Sequence, residues 1–299
     1  MMRPVIDVFE DHRDLLFAVA YRMLGTAADA EDVVQDAWLK WSAADRSDVA
    51  EPKAYLVRIA TNLALDRLRS ARAQREAYIG PWLPEPVLTT SDAAEDVEMA
   101  ESVSMAMLVV LETLTPLERA VFVLREVFGF SYGEIAEALD RSEPSVRQLA
   151  HRAREHVQAR RPRFESSKEE RRLATERFID AALGGDINAL MEVLAPDVTL
   201  WTDSGGKVRA PRRVIEGADK VSRWLSAVAG QPYAGVEPKD MTLQTLELNG
   251  VPGIVIYGPA GPIAAFVVDT ADDGLVRTVH VVANPDKLRA LAEGRELPF

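Results

Sequence analysis

One set of polar residues near the middle of the chain has the types and spacing needed to bind DNA. Arg147, His151 and Arg154 stand at positions i, i+4 and i+7 of a predicted helix, so they share one face. Guanidinium, imidazole and amide groups can hydrogen-bond phosphate oxygens and base edges in a major groove. An ordinary solvent-exposed basic helix has the same spacing, so the pattern alone leaves both interpretations open. The candidate residues of this face are Ser145, Arg147, Gln148, His151, Arg152 and Arg154.

A second polar face lies earlier in the chain. Arg58, Asn62, Asp66 and Arg69 follow i, i+4, i+8 and i+11, which is again one face of a helix. Attraction to phosphates needs only positive charge, whereas an amide and a carboxylate between arginines suit hydrogen bonding to bases. This face therefore predicts contact with nucleotide bases.

Acid–base chemistry has few candidates in this sequence. Asp203, Asp269 and His280 could transfer protons, and there is no cysteine to act as a nucleophile or thiolate ligand. His280 lies in an alternating segment, 275–282, so if its face lines a cavity, apolar neighbours would lower its pKa. A single histidine without an evident partner is more typical of a core or rim position. We therefore predict no catalytic residue, no metal site and no cofactor.

A predicted helix-turn-helix carries the first of these polar faces. Residues 131–139 have apolar side chains at helical spacing, Asp140-Arg141-Ser142 forms a short polar break, and a longer helix begins at Glu143. Ser142 is a good N-cap, and Pro144 suits the first turn behind it. Helix, short turn and helix is the arrangement of a DNA-reading module.

Helices also account for the start of the chain. Residues 5–42 predict two helices separated at Gly25-Thr26, and a third helix runs from about Pro52 to about Arg75. The second helix turns apolar residues inward and leaves an acidic outward face. The helix macrodipole explains acidic residues in its first turn, but not those that lie further along. The polar residues of this face are Asp29, Asp32, Gln35 and Asp36.

Composition limits the class of protein. A chain of 299 residues is long enough for two or three domains. It has no cysteine and no apolar run of about 20 residues, and Met1-Met2-Arg3-Pro4 leads into an acidic segment. We therefore expect a cytoplasmic protein without a membrane span or signal peptide. The net charge of −12 is unusual for a DNA-binding protein, and it suggests that DNA contact depends on a larger partner.

A linker follows the first three helices. Gly80 to Pro86 contains three prolines and cannot continue a helix, and an acidic run extends from Asp92 to Glu101. Trp82 and Leu83 are costly to leave in water, so we expect this linker to dock on another part of the chain.

A third domain begins near Lys168, where the pattern changes from all-helical to mixed. Helical segments are followed by a run of strands, and Asn249-Gly250 predicts a tight hairpin turn. Helices followed by a run of antiparallel strands predict an α+β domain with helices on one face of a curved sheet.

Two long motifs resemble bacterial extracytoplasmic-function sigma factors. Residues 29–36 (Asp-Ala-Glu-Asp-Val-Val-Gln-Asp) and residues 55–69 resemble region 2 of that family. The helix-turn-helix, with Leu114-Thr115-Pro116-Leu117-Glu118-Arg119 before it, resembles region 4. The order and separation of these motifs make the likeness specific. It implies a subunit of RNA polymerase that selects promoters.

The resemblance implies a role for each polar face. The 58–69 face would melt and read the promoter −10 element, and the second helix of region 4 would read the −35 element. The acidic helix would dock on the RNA polymerase core, whose clamp helices and flap are the expected contacts. The residues implied in core-polymerase binding are Asp29, Glu31, Asp32, Gln35 and Asp36.

The third domain resembles the SnoaL-like (NTF2-like) cone fold, partly through Leu194-Ala195-Pro196-Asp197-Val198. Trp82–Pro86, Asp203–Lys207 and Asn284–Leu288 resemble motifs of the subgroup of these sigma factors that carries such a domain. The usual second motif has glycine where this chain has Ser204, which makes one backbone position less permissive. The resemblance implies a regulatory interdomain contact through Trp82, Leu83, Pro84, Asp203, Gly205, Gly206, Lys207, Asn284, Pro285, Asp286 and Lys287.

We therefore expect two all-α sigma domains, a helical bundle and a helix-turn-helix, followed by an α+β SnoaL/NTF2-like cone domain. The predicted ranges are 1–76 for region 2, 77–101 for the linker, 102–165 for region 4, 168–283 for the regulatory domain and 284–299 for a C-terminal tail.

The expected function is promoter recognition and transcription initiation, regulated in cis by the fused domain, without a separate anti-sigma partner. Two alternatives remain open at this point. One is a ligand-sensing helix-turn-helix regulator that acts without polymerase, and it leaves the 29–36 and 58–69 faces unexplained. The other is a SnoaL-type enzyme fused to a DNA-binding module.

Overall fold

The computed structural model describes residues 5–44, 49, 51–89, 102–160, 168–270 and 273–296, with only the backbone of 71–76 and 168. The acidic run predicted from Asp92 to Glu101 lies outside the described residues. So do the last three residues of the predicted tail.

The first unit is a three-helix bundle made of α1 (Val5–Leu24), α2 (Ala27–Ala43) and α3 (Pro52–Glu76). Apolar residues at helical spacing form its core, among them the buried Leu16, Val33 and Leu56. Gly25 ends α1 with a φ of 74°, a left-handed conformation that glycine adopts without strain. The predicted break at Gly25-Thr26 is therefore where the chain turns into α2.

The second unit contains α4 (Met105–Leu111), α5 (Pro116–Phe122), a π-helical turn (Val123–Val127), α6 (Tyr132–Leu139) and α7 (Glu143–Arg160). Ser131 accepts from the backbone N–H of Glu134, whose side chain bonds back to Ser131, so a capping box fixes the start of α6. Asp140 follows with a φ of 52° and turns the chain toward α7. The predicted helix-turn-helix is present with nearly the predicted limits.

The two helical units share one apolar core. Buried side chains of α1–α3 and of α4–α7 belong to a single packed cluster, which includes Leu56, Leu108, Val121 and Ile135. The two units that would read separate promoter elements therefore pack directly against each other.

The C-terminal domain contains α8 (Lys168–Gly184), α9 (Ile187–Val193), α10 (Ala218–Val228) and a six-stranded sheet. The strands are β1 (Leu194–Asp203), β2 (Ile215–Glu216), β3 (Thr242–Leu248), β4 (Val251–Gly258), β5 (Gly261–Thr270) and β6 (Val276–Val282). Their order is β2-β1-β6-β5-β4-β3. The tail continues as a 3₁₀ turn (Pro285–Leu288) and α11 (Arg289–Ala292).

The run of strands from β3 to β6 is antiparallel, as the sequence predicted. No partner was predicted for β1, which pairs with β6 in parallel. The chain between β1 and β6 includes α10 and four strands, so it is long enough to return the last strand beside the first in the same direction. The other pairings are antiparallel, and Asn249-Gly250 forms the predicted turn between β3 and β4, with φ of 53° and 75°.

The two faces of the sheet have different partners. One face packs on α8–α10, with Phe178, Leu190 and Val221 in its core. On the other face, Leu83 of the linker and Met105 of α4 join the domain's own side chains. The expected fold class, two helical sigma domains followed by a mixed-sheet domain, is confirmed, and the linker is docked as predicted.

Candidate functional site

The carboxylate of Asp203, at the end of β1, joins the C-terminal domain to the linker. Its Oδ1 accepts hydrogen bonds from the Tyr78 hydroxyl at 2.5 Å and the Gly205 N–H at 3.2 Å. Its Oδ2 accepts from the Leu83 N–H at 2.8 Å and from Lys287 Nζ at 2.7 Å. Asp203 has no exposed surface, so these partners replace the water that an isolated carboxylate would need.

Lys287 closes this network from the tail. Its ammonium also donates to the Leu83 carbonyl and lies 3.8 Å from the centroid of the Trp82 ring, a cation–π contact. Burial, followed by the adjacent Asp203 carboxylate, raises the pKa of Tyr78, so the phenol stays protonated and donates. Linker, domain and tail therefore meet at one buried charge pair, Asp203–Lys287.

The loop after Asp203 needs glycine, because its backbone lies very close to side chains of the tail and the linker. A Cβ on Gly205 would lie 2.6 Å from Asn284 Nδ2, and one on Gly206 would lie 3.0 Å from Ile79. Both glycines have positive φ. Lys207 forms an ion pair with Asp286 across the same contact. The structure thus brings together residues of the three predicted regulatory motifs, whereas Pro84 lies near Gly25 of the first bundle.

The linker is also fixed to the first helical bundle. The Glu85 side chain accepts from the Ala27 N–H at 2.7 Å, at the first turn of α2. The Tyr21 hydroxyl donates to the Glu85 carbonyl at 2.7 Å and accepts from Asn249 Nδ2 at 2.6 Å. Asn249 was predicted only as a turn residue. Its amide in fact connects the β3–β4 turn to α1.

The acidic face of α2 is less free than predicted. Arg67, which the sequence groups with the basic residues of α3, lies 3.0 Å from Asp32, 2.9 Å from Asp36 and 3.7 Å from Asp29. Glu31 is paired with Arg13 at 3.0 Å and lies 3.8 Å from Arg295 of the tail. Gln35 is exposed. The predicted polymerase-docking face is therefore partly neutralised by α3 and partly approached by the C-terminal tail.

The predicted base-reading face of α3 is exposed and contacts the helix-turn-helix through one residue. Arg58, Asn62, Asp66 and Arg69 are on the outer side of α3, and Arg69 pairs with Asp66 at 3.0 Å. Asn62 Nδ2 donates to the backbone carbonyl of Ala138, in the last turn of α6, at 3.0 Å. The residue expected to contact bases is therefore bonded to the other DNA-reading unit.

The predicted −35-reading face of α7 is largely exposed as well. Arg147, Gln148, His151 and Arg152 are exposed, and Ser145 and Arg154 are half-buried. Most of the charged members have a local acidic partner. Arg147 pairs with Glu143, His151 lies 3.6 Å from Glu155, Arg152 lies 3.2 Å from Glu118, and Arg154 lies 3.7 Å from Glu126.

Two arginines that the sequence did not single out are buried where the helical units meet. Arg119 donates from Nε to the Arg22 carbonyl at 3.0 Å, and it forms an ion pair with Glu112. Arg22 donates to Ser102 Oγ at 3.0 Å and lies over the Phe128 ring. A local sequence pattern treats both as surface charges. Only the packing of α1 against α5 makes them interior residues.

His280 and Asp269 are adjacent, and neither lines the apolar cavity found in this domain. His280 Nδ1 lies 3.3 Å from Asp269 Oδ2, and both side chains are buried. Burial lowers the pKa of His280 to about 3 and raises that of Asp269 to about 7, so the pair is disfavoured as a charged pair. Val281, the next residue of β6, does line that cavity, so His280 is directed to the opposite face of the strand. Asp203 lies in the interdomain network.

Neither a bilayer-length apolar helix nor a cluster of three potential metal-binding side chains occurs in the described part of the chain.

Comparison with known proteins gives consistent matches. Residues 8–74 match Sigma-70 region 2, and residues 104–157 match Sigma-70, region 4. The chain is 38% identical over 304 residues to the ECF RNA polymerase sigma factor SigJ of Mycobacterium tuberculosis, covering 98% of this chain and 96% of that protein. A probable ECF RNA polymerase sigma factor SigI of the same organism is 31% identical, with 96% of each chain covered. The crystal structure of the M. tuberculosis extracytoplasmic function sigma factor SigJ aligns with a TM-score of 0.74 and 36% identity, over 95% of this chain and 98% of that one.

Proposed function

Because the chain belongs to the extracytoplasmic-function family of RNA polymerase sigma factors, we propose that its C-terminal domain controls promoter recognition in cis. Sigma factors bind RNA polymerase and promoter DNA and direct transcription initiation, and they are not enzymes. The proposal concerns which faces of this chain carry those contacts and what the fused domain does to them.

Each polar face has one proposed binding partner. The α2 residues Asp29, Glu31, Asp32, Gln35 and Asp36 dock on the clamp helices of the polymerase core. The α3 face from Arg58 to Arg69 reads the −10 element, and the α7 face from Ser145 to Arg154 reads the −35 element. The domain limits predicted from the sequence, with the break near Lys168, belong to this proposal.

The two reading helices separate on the promoter in this proposal. Asn62 of α3 contacts Ala138 of α6, and α7, the next helix, is about 27 Å long. Two DNA sites a single helical turn apart are already about 34 Å apart, so units packed this closely suit one site better than two separate promoter elements. The arrangement in which Asn62 contacts Ala138, which we call the closed chain, is therefore proposed as a resting state that opens on the promoter.

The observation that carries the proposal is the buried Asp203–Lys287 pair. It holds Leu83 by both its N–H and its carbonyl, and so fixes the linker between the two helical units to the C-terminal domain. Such a tether places the contact at ~mM effective concentration, so even a weak interface keeps the chain closed.

The test is promoter transcription with purified core polymerase. We expect Asp203→Asn in the full chain to raise transcription at limiting polymerase, because it weakens the hold on Leu83 while leaving the reading faces unchanged. Asp219→Asn, at an exposed carboxylate that pairs only locally with Arg223, is the matched control. A chain ending before Lys168 should also differ from the full chain. Equal activity of all these proteins would contradict regulation by the fused domain.

The tail has a separate role in this proposal. Lys287 contributes to the buried pair, and Arg295 approaches Glu31 on the polymerase-docking face. Truncation just before Asn284 should therefore change activity differently from removal of the whole domain. Identical behaviour of the two truncated chains would refute a distinct role for the tail.

A further inference from the structure

A cavity of about 230 Å³ lies in the C-terminal domain, between the helices and the concave side of the sheet. It is distinct from the interdomain network, which lies on the other face. Its lining residues come from α8, α10, four strands and the segment that follows α10, and none of them is charged. The main contributors are Phe178, Trp224, Ile254, Ile256, Ala264 and Phe266.

The opening of the cavity has apolar side chains around it, and a tight backbone turn lies beside it. Leu183 and Leu243 line the opening and are 58% and 41% exposed, although burying them would be favourable. Tyr233 and Val236 exchange two backbone hydrogen bonds, which forces Ala234 between them to a φ of 49°. A left-handed conformation costs a non-glycine residue about 1–2 kcal/mol. The turn that carries Tyr233 to the rim is therefore held in place against local strain.

Two of the lining residues carry polar side-chain groups that have no hydrogen-bond partner within the described part of the chain. They are the Tyr233 hydroxyl and the side-chain amide of Gln231. Burial raises the pKa of Tyr233 to about 12, so the phenol remains a neutral donor near neutral pH. An otherwise apolar cavity with one or two such groups is the usual composition of a small-molecule site.

We propose that this cavity binds an uncharged, largely apolar molecule of bicyclic size that accepts one hydrogen bond at the rim. A cavity of about 150 Å³ with Leu, Ile and Phe walls holds benzene, so one half as large again suits about nine or ten non-hydrogen atoms. A charged ligand would lose its hydration without gaining a counter-ion here. The aromatic walls formed by Phe178, Trp224 and Phe266 suit a planar ring system.

The cavity and the linker lie on opposite faces of the same strands. Ile254 and Ile256 of β4 line it, while Val255 between them packs on the opposite face with Leu83 of the linker. Likewise Ala264 lines the cavity, while its neighbour Ala265 lies on the linker side. A ligand in the cavity is thus separated from the linker by the thickness of one sheet.

The experiment measures binding of three probes to the full chain by calorimetry or ligand-observed NMR. Quinoline is an uncharged bicycle with one acceptor, naphthalene lacks the acceptor, and 2-naphthoate adds a negative charge. We expect saturable one-to-one binding of quinoline and naphthalene, and binding of 2-naphthoate that is weaker by about tenfold or more.

Substitutions in and outside the cavity test whether the probes bind there. Ala182→Phe and Ala264→Leu each fill the cavity and should weaken both neutral probes by about tenfold or more, with folding checked by circular dichroism. Tyr233→Phe should weaken quinoline by about three- to tenfold and leave naphthalene unchanged. Met191→Ala, at an exposed apolar residue that does not line the cavity, is the control and should change neither. Absence of saturable binding by either neutral probe would overturn the proposal. So would binding that persists unchanged in a folded cavity-filling variant.

Discussion

The side-chain amide of Asn62 donates a hydrogen bond to the backbone carbonyl of Ala138 across the boundary between the two DNA-reading units. Asn62 is at the centre of the face proposed to read bases at −10, and Ala138 is in α6, which precedes the helix proposed to read the −35 element. One bond of this kind contributes only about 0.5–1.5 kcal/mol. Its importance is geometrical, because it ties the centre of this exposed face to the helix-turn-helix while the chain is closed.

Opening on the promoter can be measured as a distance. The chain has no cysteine, so single cysteines for dyes can be introduced at Ser70 on α3 and Glu137 on α6 without background labelling. Both positions are exposed, and Ser70 lies about 12 Å along α3 from Asn62. We expect high energy transfer in the free chain and a large loss when core polymerase and promoter DNA are added together. Unchanged transfer in the promoter complex would contradict the closed resting state.

The Asp203–Lys287 pair should show strong thermodynamic coupling. Asp203→Ala removes the carboxylate partner of a lysine that is 5% exposed, which should cost about 3–5 kcal/mol of stability. Adding Lys287→Met removes the buried charge as well, so the double variant should be more stable than Asp203→Ala alone. Calorimetric unfolding of Asp203→Ala, Lys287→Met and the double variant measures the coupling free energy between the two side chains. Additive losses would indicate that the two groups do not interact.

The contact between Arg295 and Glu31 predicts that the tail competes with polymerase. Arg295→Gln frees Glu31 from a partner 3.8 Å away, and it should tighten binding to core polymerase by up to about fivefold, because exposed ion pairs contribute at most about 1 kcal/mol. Arg289→Gln is the control on the same tail, since Arg289 pairs only with Glu293. Affinity should be measured at low and moderate salt. If both substitutions have the same effect, the Glu31 contact does not limit docking.

Local features of the fold were largely predictable. Turn and capping residues mark the helix-turn-helix at Ser131 and Asp140, and Asn249-Gly250 marks the turn between β3 and β4. The docking of Trp82 and Leu83 follows from the cost of exposing large apolar groups to water.

Contacts between distant segments were not predictable from periodicity. Arg67 binds carboxylates 31 and 35 residues away, and Arg119 is buried against Arg22, which is 97 residues earlier. Local patterns give the face on which a side chain lies but not what that face packs against. The parallel pairing of β1 with β6 escaped prediction for the same reason.

Glu85 makes the stability of the closed chain depend on pH. Burial, as the main cause, raises its pKa from 4.5 to about 7, so the folded chain keeps a proton that the unfolded chain releases. The contribution of Glu85 to the free energy of unfolding therefore falls as pH rises from about 4.5 to about 7. Glu85→Gln can still accept from the Ala27 N–H and should raise stability at pH 8 by about 1–3 kcal/mol while flattening this dependence. Thermal unfolding between pH 5 and 8, with the exposed Glu293→Gln as control, checks this. A variant with an unchanged pH profile would show that Glu85 does not titrate in this range.

The exposed face of α7 should separate base reading from phosphate binding. Gln148 has an exposed amide whose acceptor and donor can pair with a base edge, so Gln148→Ala should cost about 1–3 kcal/mol on the preferred −35 sequence and relax preference at one position. Arg152→Ala removes a positive charge, so it should weaken binding similarly on all sequences and lower the salt dependence by about one unit. Gln158→Ala, exposed in the last turns of the same helix, should change neither quantity. Binding of polymerase holoenzyme to a panel of −35 variants at several salt concentrations distinguishes the two effects. If Gln148→Ala weakens every sequence equally, Gln148 does not read a base, and specificity must come from other residues of the face.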